Sequence, residues 1–279
     1  MIDRNGNRRT IGCGHLVLAC NGLGTARLLL TNPMLSEALG PGLGRNLMLH
    51  PTAIVTGRFD EDLHSYRGAF ACAFYSQQFV ETDRSRGYVR GFQPQALRGQ
   101  GPLTTALGGY AGRLPWGRNH HRAFRQSFGR TVSLTVTCED LPEAENRIDL
   151  HPDDRDRWGM PVPRMHYRLG ENTKAMMAYG IEKARTVLAT AGASTIAVTP
   201  LARNAGFHLL GTVRMGRPGD GSIVDDAGIS HAVPNLSVID GGVFPTSAAV
   251  NPTPTIQAVA LRAADRLLAR HGARPRAAA

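Results

Sequence analysis

The residues best suited to chemistry lie between Asn204 and His271. His208 stands in the run Gly-Phe-His208-Leu-Leu-Gly-Thr212, with apolar neighbours on both sides. An imidazole in such a setting is partly desolvated, which favours its neutral, proton-accepting form. The plainer alternative is a core histidine satisfied by its neighbours. Further along, Leu236 to Ile239 is a short apolar run ending in Asp240-Gly241-Gly242. That is the pattern of a buried strand that stops where a ligand can approach the backbone, although Asp240 could equally cap a turn there. Asn251-Pro252-Thr253-Pro254 then leads into a helix, with Thr253 as N-cap and Pro254 at the first helical position. Ile256, Val259, Ala260, Ala263 and Leu267 recur at helical spacing until Gly272 stops the run. A helix that starts past a polar turn leaves its first N–H groups free, an end that can hold an anion or a developing negative charge. Asn251, before a proline, is ordinarily a turn residue.

These groups need a framework to position them. Met1 to Gly14 reads as a hairpin around Asn5-Gly6-Asn7. His15 to Cys20 follows as a buried strand, then the turn Asn21-Gly22-Leu23-Gly24-Thr25 and a helical run from Ala26 to Leu30. Strand, glycine turn and helix form the start of a nucleotide-binding α/β layer, and Gly22 is a candidate cofactor contact. The turn holds only G-x-G, so the full dinucleotide fingerprint is absent from it. Pro33 to Pro51 is Gly-rich and irregular, and short β segments follow at Ala53 to Phe59, Ala69 to Phe74, Tyr88 to Phe92 and Thr131 to Val136. Gly99 to Phe128 is either a lid over a pocket or a surface helix and loop. Asn146 to Leu150 and Pro163 to Arg168 read as two more strands. Glu171 to Ala191 is helical, with Met176, Met177, Ile181, Ala184, Val187 and Leu188 on one buried face and Gly192 as its stop. Both methionines are expected to fill core. Arg270 to Ala279 reads as a frayed basic tail. The expected fold is mixed α/β: an α/β segment (1–51), a β-rich insertion (52–198) and a return to the α/β layer (199–279). A cleft at their junction is where a small ligand would bind.

Composition narrows the class. With 279 residues, 42% hydrophobic and 19% charged, the chain reads as a soluble globular protein of one or two domains. Its formal charge of +10 is either an arginine-rich compositional bias or an attraction to anions such as a phosphate-bearing cofactor. No run of five or more basic residues is present, which argues against nucleic acid as partner. Cys13, Cys20, Cys72 and Cys138 are far apart and read as buried free thiols; no C-x-x-C or H-E-x-x-H suggests a metal. Neither a signal peptide at Met1 nor an apolar run of membrane-spanning length is visible, so the expected location is cytoplasmic.

Three longer motifs add a resemblance. His208-Leu-Leu-Gly-Thr-Val-Arg-Met-Gly216, Val238-Ile-Asp-Gly-Gly-Val-Phe-Pro-Thr246 and Val250-Asn-Pro252 before a helix occur in that order. Val17 to Leu30 and Gly44-Arg-Asn-Leu-Met-Leu-His-Pro51 precede them. Together they resemble the glucose-methanol-choline (GMC) family of flavin oxidoreductases, over most of the chain and most specifically over its last 75 or so residues. The resemblance implies an FAD-dependent oxidation of an alcohol, sugar or polyol, with a split cofactor domain and an inserted substrate domain. It implies His208 as the base taking the substrate hydroxyl proton, and Asn251 as the hydrogen-bonding partner of the substrate oxygen. It also implies Asp240 and Gly241 near the ribityl and diphosphate region, and Pro252 and Thr253 at the pyrimidine edge of the flavin. His15, His50, His151, His166 and His231 are assigned to structure, His50 being the one whose loop could touch cofactor. Arg214 would either neutralise a phosphate or an acidic substrate or join a surface ion pair.

Two departures from the family pattern matter. Ala26 stands where many members have proline, and Thr31-Asn-Pro-Met34 replaces a Ser-Gly-x-Gly run typical of the oxidases, which favours a dehydrogenase. Family members begin with a G-x-G-x-x-G unit for the ADP part of FAD, and Met1 is expected to start after it. The chain is therefore expected to need that part, either in one polypeptide or as a separate N-terminal FAD-binding chain. Its electron acceptor is not legible. A rival expectation is a non-catalytic interaction module descended from such an enzyme.

Overall fold

The computed structural model describes residues 6–7, 9–68, 72–110, 112, 114–203 and 205–272. The elements in order are β1 (Leu16–Leu18), α1 (Asn21–Thr31), α2 (Pro33–Leu39), β2 (Thr52–Arg58), β3 (Cys72–Tyr75) and β4 (Phe92–Leu97). There follow α3 (Pro102–Ala106), α4 (His120–Ser127), β5 (Thr131–Cys138), β6 (Arg147–Arg155) and β7 (Pro161–His166). The remainder comprises α5 (Glu171–Thr190), β8 (Thr195–Thr199), β9 (Leu236–Val238) and α6 (Thr253–Arg270). The fold is mixed α/β.

Five strands pair antiparallel in the order β3-β4-β5-β2-β8. Side chains alternate across a strand, so each strand offers one set to each face. Ala53, Val55, Leu134, Val136, Phe92 and Ala96 pack with Met176, Met177, Ala184 and Leu188 of α5 into one core. Burying a side chain of this kind stabilises by about 1.5–3 kcal/mol. The opposite face carries Thr52, Ile54, Gln95, Leu97, Thr135, Thr137 and Thr199, and it lines a cavity.

A second unit forms around the parallel pair β1–β9, with α1 and the Gly241–Val243 turn. Its core holds Leu29, Leu39, Val213, Val224, Leu236 and Val238. The β6–β7 hairpin leaves the large sheet and joins this unit. Arg27 of α1 donates from Nε to the Pro161 carbonyl at 2.8 Å and pairs with Asp156 at 2.7 Å, while Ala26, Leu47, Leu49 and Ile148 close the apolar contact.

Several sequence expectations need correction. The 15–20 strand is shorter and not buried: Leu16 is 44% and Val17 41% exposed, because β9 pairs with it on one side only. The 33–51 stretch contains α2, capped by Asn32 Oδ1 accepting from the Leu35 N–H at 3.2 Å and ended by Gly40 at φ +81°. The strand expected at 88–92 begins at Phe92 instead, since Gly87 (φ +78°) and Arg90 (φ +69°) turn the chain in the left-handed region. Of the strand expected at 69–74, residues 69–71 lie outside the described residues, and β3 covers 72–75. Gly99 to Phe128 contains α3 and α4. The 171–191 helix is α5, but Val187 faces solvent at 57% exposure. The last helix starts one residue early, with Pro252 rather than Thr253 at the cap. Cys13, Cys20 and Cys72 are exposed free thiols and only Cys138 is buried. Residues 1–5 and 8 of the expected hairpin, Asn204 and residues 273–279 of the tail lie outside the described residues, and the described part of the hairpin, 6–7 and 9–14, forms no strand.

Candidate active site

The polar face of the five-stranded sheet borders an open cavity of about 480 Å³, lined also by Tyr110, Ala202, Arg203, Phe207, His208 and Asn251. Two residues expected to do chemistry, 43 positions apart, thus meet in one cavity. Its threonines and Gln95 offer hydroxyl and amide groups to a hydrogen-bonding ligand, while Ile54, Leu97 and Phe207 supply apolar contact.

His208 is placed by strand-like pairing. Met48 and Leu210 exchange both backbone hydrogen bonds at 3.0 Å as an antiparallel bridge. Two residues further along that register, His50 faces His208, and their Nδ1 atoms lie 2.9 Å apart with the rings nearly perpendicular at 80°. His208 is half-buried, and desolvation holds its pKa below the usual 6.5. It is therefore neutral at pH 7 and able to accept a proton. His50 is 1% exposed, and burial first, then the neighbouring His208, push its pKa down to about 4. The Ala248 backbone works weakly in the opposite direction, but His50 Nε2 makes no full hydrogen bond. His50, the structural histidine whose loop was expected within reach of cofactor, thus touches the candidate base.

The loop bearing His50 is anchored by Asp140. Its Oδ2 accepts from the Leu49 N–H at 3.2 Å and the Tyr167 hydroxyl at 2.7 Å, and its backbone exchanges hydrogen bonds with the Ser247 hydroxyl at 2.8 and 3.0 Å. Burial nevertheless pushes Asp140 up to about 6.

Asn251 precedes α6. Its Oδ1 accepts from Gln95 Nε2 at 2.7 Å, which leaves the Asn251 amide hydrogens to donate elsewhere. Pro252 is buried and Thr253 exposed, and no side chain caps the first turn of this 18-residue helix. A free helix start beside the cavity suits a group that gains negative charge.

Asp240, Gly241 and Gly22 are brought together, but as an internal lock. Asp240 accepts from the Thr25 hydroxyl at 2.5 Å and from the Gly242 N–H at 2.8 Å, and burial still raises its pKa. A Cβ on Gly22 would sit 2.5 Å from the Leu209 carbonyl oxygen, and one on Gly241 3.0 Å from the same atom. The Thr212 hydroxyl donates to the Gly22 carbonyl at 2.6 Å. These glycines let α1 and the 241–243 turn close on the chain segment that carries His208. The expected turn at Asn21 to Thr25 is instead the start of α1, where the Leu23 and Gly24 N–H groups go to Asn21 Oδ1 at 2.9 and 3.2 Å. The remaining histidines stay structural in setting: His15 meets Ser237 at 2.8 Å, His151 meets the Asp154 N–H at 2.9 Å, His166 meets Asp149 at 2.8 Å and His231 meets Ser222 at 3.0 Å. Arg214 donates to the Asp220 carbonyl at 2.8 Å, a local surface contact. Sequence reasoning missed Gln95 as well as His50; its only signal was a polar residue at the cavity-facing position of an alternating strand.

Residues 142–260, which hold His208, Asp240, Asn251 and the start of α6, match the family model described as GMC oxidoreductase. The chain carries a GMC oxidoreductase domain. Over 273 residues it is 36% identical to a 2-methyl-1,2-propanediol dehydrogenase of Mycolicibacterium austroafricanum, covering 94% of this chain and 49% of that protein. It is 26% identical to the fructose dehydrogenase large subunit of Gluconobacter japonicus, over 90% of this chain and 46% of the other. It is 27% identical to a 6'''-hydroxyparomomycin C oxidase of Streptomyces lividus, over 99% and 49%. The chain thus spans about half the length of the curated relatives it matches, among which both dehydrogenases and oxidases occur. Among its described residues no helix is long and apolar enough to cross a membrane, and no group of three or more His, Cys, Asp or Glu could hold a metal ion.

Proposed function

We propose that this chain supplies the substrate-binding and proton-transfer part of an FAD-dependent enzyme that oxidises a CH–OH group of a small alcohol, sugar or polyol, acting as a dehydrogenase rather than an oxidase. The observation that carries the reading is the meeting of a neutral, half-buried His208 with Asn251 in a cavity floored by threonines. Residues 52–198 contribute the sheet face of the substrate cavity, 199–279 carry the active-site residues and part of its lining, and 1–51 belong to the cofactor side. The relatives' names, which include a diol and fructose, support a hydroxylated substrate.

In this reading His208 Nε2 takes the proton of the substrate hydroxyl, while the Asn251 amide donates to the same oxygen and orients it. Gln95 holds Asn251 in place by engaging its amide oxygen. Loss of hydride from carbon becomes easier as the oxygen approaches an alkoxide, and a positioned base of this kind contributes about 10²–10⁴-fold. FAD, when bound, supplies the acceptor for that hydride. Pro252 and Thr253 would border its flavin, where the uncapped start of α6 stabilises negative charge. Asp240, Gly241 and Gly22 would shape the cofactor side by locking the backbone behind it. A separate N-terminal FAD-binding chain is the partner this reading allows for.

The test is a comparison of parent and His208→Ala in the flavin-loaded enzyme. The variant is expected to keep its flavin absorbance and lose kcat/KM by about 10²–10⁴-fold. In the parent, kcat/KM falls on the acid side with a limb below 6.5, because the lowered pKa of His208 keeps it neutral down to that region. Unchanged turnover in His208→Ala would overturn the role. Flavin absorbance of the purified chain, alone and with a supplied N-terminal FAD-binding segment, tests the cofactor; no yellow complex in either case removes it.

A further inference from the structure

Two imidazoles that meet Nδ1 to Nδ1 at 2.9 Å must divide their roles: one nitrogen donates and the other accepts. A base that takes a proton at Nε2 needs a lone pair there, so its own proton must sit on Nδ1. His208 then donates from Nδ1 to His50 Nδ1. His50 in turn carries its proton on Nε2, a buried atom that makes no hydrogen bond of its own. We propose that His50 is a positioning residue, accepting the Nδ1–H of His208 and thereby holding the base in the tautomer whose Nε2 lone pair faces the cavity. This deepens, and rests on, the reading of His208 as base.

Three features of the fold support the assignment. The Met48–Leu210 bridge sets the antiparallel register that makes residues 50 and 208 direct neighbours. His50 holds φ +53° although it is not glycine and stands immediately before Pro51. Left-handed backbone at a bulky residue is costly, and such strain persists where the surroundings enforce a particular side-chain placement. Asp140 supplies the enforcement on both sides of His50: it binds the Leu49 N–H, and its backbone holds Ser247, next to Ala248. His50 itself is buried and does not border the cavity, so it reaches a substrate only through His208.

The proton balance is simple. The substrate O–H bond breaks, its electron pair stays on oxygen, and the proton bonds to His208 Nε2. His208 becomes a cation protonated on both nitrogens, its Nδ1–H still donated to neutral His50, and no proton passes further. An acceptor at that position favours the cation as it forms and disfavours the Nε2–H tautomer, whose Nε2 has no lone pair to act as base.

The experiment uses two substitutions of His50. Asparagine tolerates left-handed backbone and can place an amide oxygen near the imidazole Nδ1 position, so His50→Asn keeps an acceptor and His50→Ala removes it. In protein with ¹⁵N-labelled histidine rings, long-range ¹H–¹⁵N correlations distinguish Nδ1–H from Nε2–H, and the His208 signals are those lost in His208→Gln. His208 is expected as Nδ1–H in the parent and in His50→Asn, and as Nε2–H or a mixture in His50→Ala. In the flavin-loaded enzyme, kcat/KM of His50→Ala is expected to fall by about 10²- to 10⁴-fold, the upper figure matching loss of a tautomer-fixing carboxylate in a serine-protease triad, with His50→Asn recovering most of it. Nε2–H in the parent, or Nδ1–H retained in a folded His50→Ala, overturns the proposal. Should His50→Ala fail to fold, the parent and His50→Asn spectra decide: Nδ1–H in both supports it, Nε2–H in either overturns it. If the tautomers behave as expected but His208→Gln keeps full activity, the pairing stands and the reading of His208 as base is what fails.

Discussion

Glu139 precedes Asp140 in the chain and is 5% exposed. Its Oε1 makes no hydrogen bond, and Arg90 Nε stands 3.5 Å away on a side chain that is 47% exposed. Burial outweighs that cation and pushes Glu139 up to about 7 from the ordinary 4.5. A raised carboxyl pKa means the folded state holds a proton that the unfolded chain releases. Stability from this group is therefore present below about 4.5 and lost as pH rises through about 7. Glutamine mimics the protonated form, so Glu139→Gln is expected to stabilise the protein at pH 8 by roughly 1–3 kcal/mol and to change little at pH 4. Urea melts at the two pH values check this, and an equal effect at both would refute it. His50 has the opposite sign: its depressed pKa withdraws stability as pH falls from 6.5 through about 4. At this scale His208 and Asn251 were legible as residue types in motifs, whereas His50 was not. Met-Leu-His-Pro and Phe-His-Leu-Leu both read as histidine among apolar residues, and neither the sign of φ nor a contact across 158 positions is written in local sequence.

Helix α5 shows where an element's local preference and its packing disagree. Gly180 sits in the middle of this helix, where glycine costs about 1 kcal/mol relative to alanine. A Cβ there would lie 2.4 Å from Val136 Cγ1 and 3.2 Å from Phe92 Cε2, both in the packed core of the sheet. Overpacking a core costs about 1–3 kcal/mol, so the steric term is expected to exceed the propensity gain. Gly180→Ala should lower stability by about 1 kcal/mol in a denaturant melt, and an alanine variant more stable than the parent would show that sheet and helix can separate freely. The 3.6-residue periodicity made α5 and α6 legible, because their buried faces follow one stripe. Helix α2 was passed over even though Asn32-Pro33 is a capping signal, since its seven residues are too few to show a period. Strand β4 was displaced because Gly91 lets the backbone cross within van der Waals distance of Phe79 and Val80, a long-range contact that ends the turn at Arg90 and starts the strand at Phe92.

For the molecule as a whole, motif order conveyed the mixed α/β class and the cleft, but not how the layers are covered. The β6–β7 hairpin is contiguous with the large sheet in sequence and packs on α1 in space, which no boundary drawn along the chain expresses. The parallel pair β1–β9 is a sharper case, since parallel strands are normally buried on both faces. Here Leu16 and Val17 are 44% and 41% exposed, and Leu261 and Leu268 on α6 are 71% and 41% exposed. Exposed apolar side chains favour association. The chain is accordingly expected to bind a hydrophobic dye and to self-associate at raised concentration. A double substitution, Val17→Thr with Leu261→Lys, should reduce both effects. Because both side chains are exposed, it should change unfolding free energy by no more than about 0.5 kcal/mol each. Light scattering and dye fluorescence on parent and variant read the first expectation, and a denaturant melt reads the second. Equal scattering and dye binding in the two proteins would mean that these side chains do not drive the association. A large loss of stability would mean instead that Val17 and Leu261 already carry packing in the folded chain.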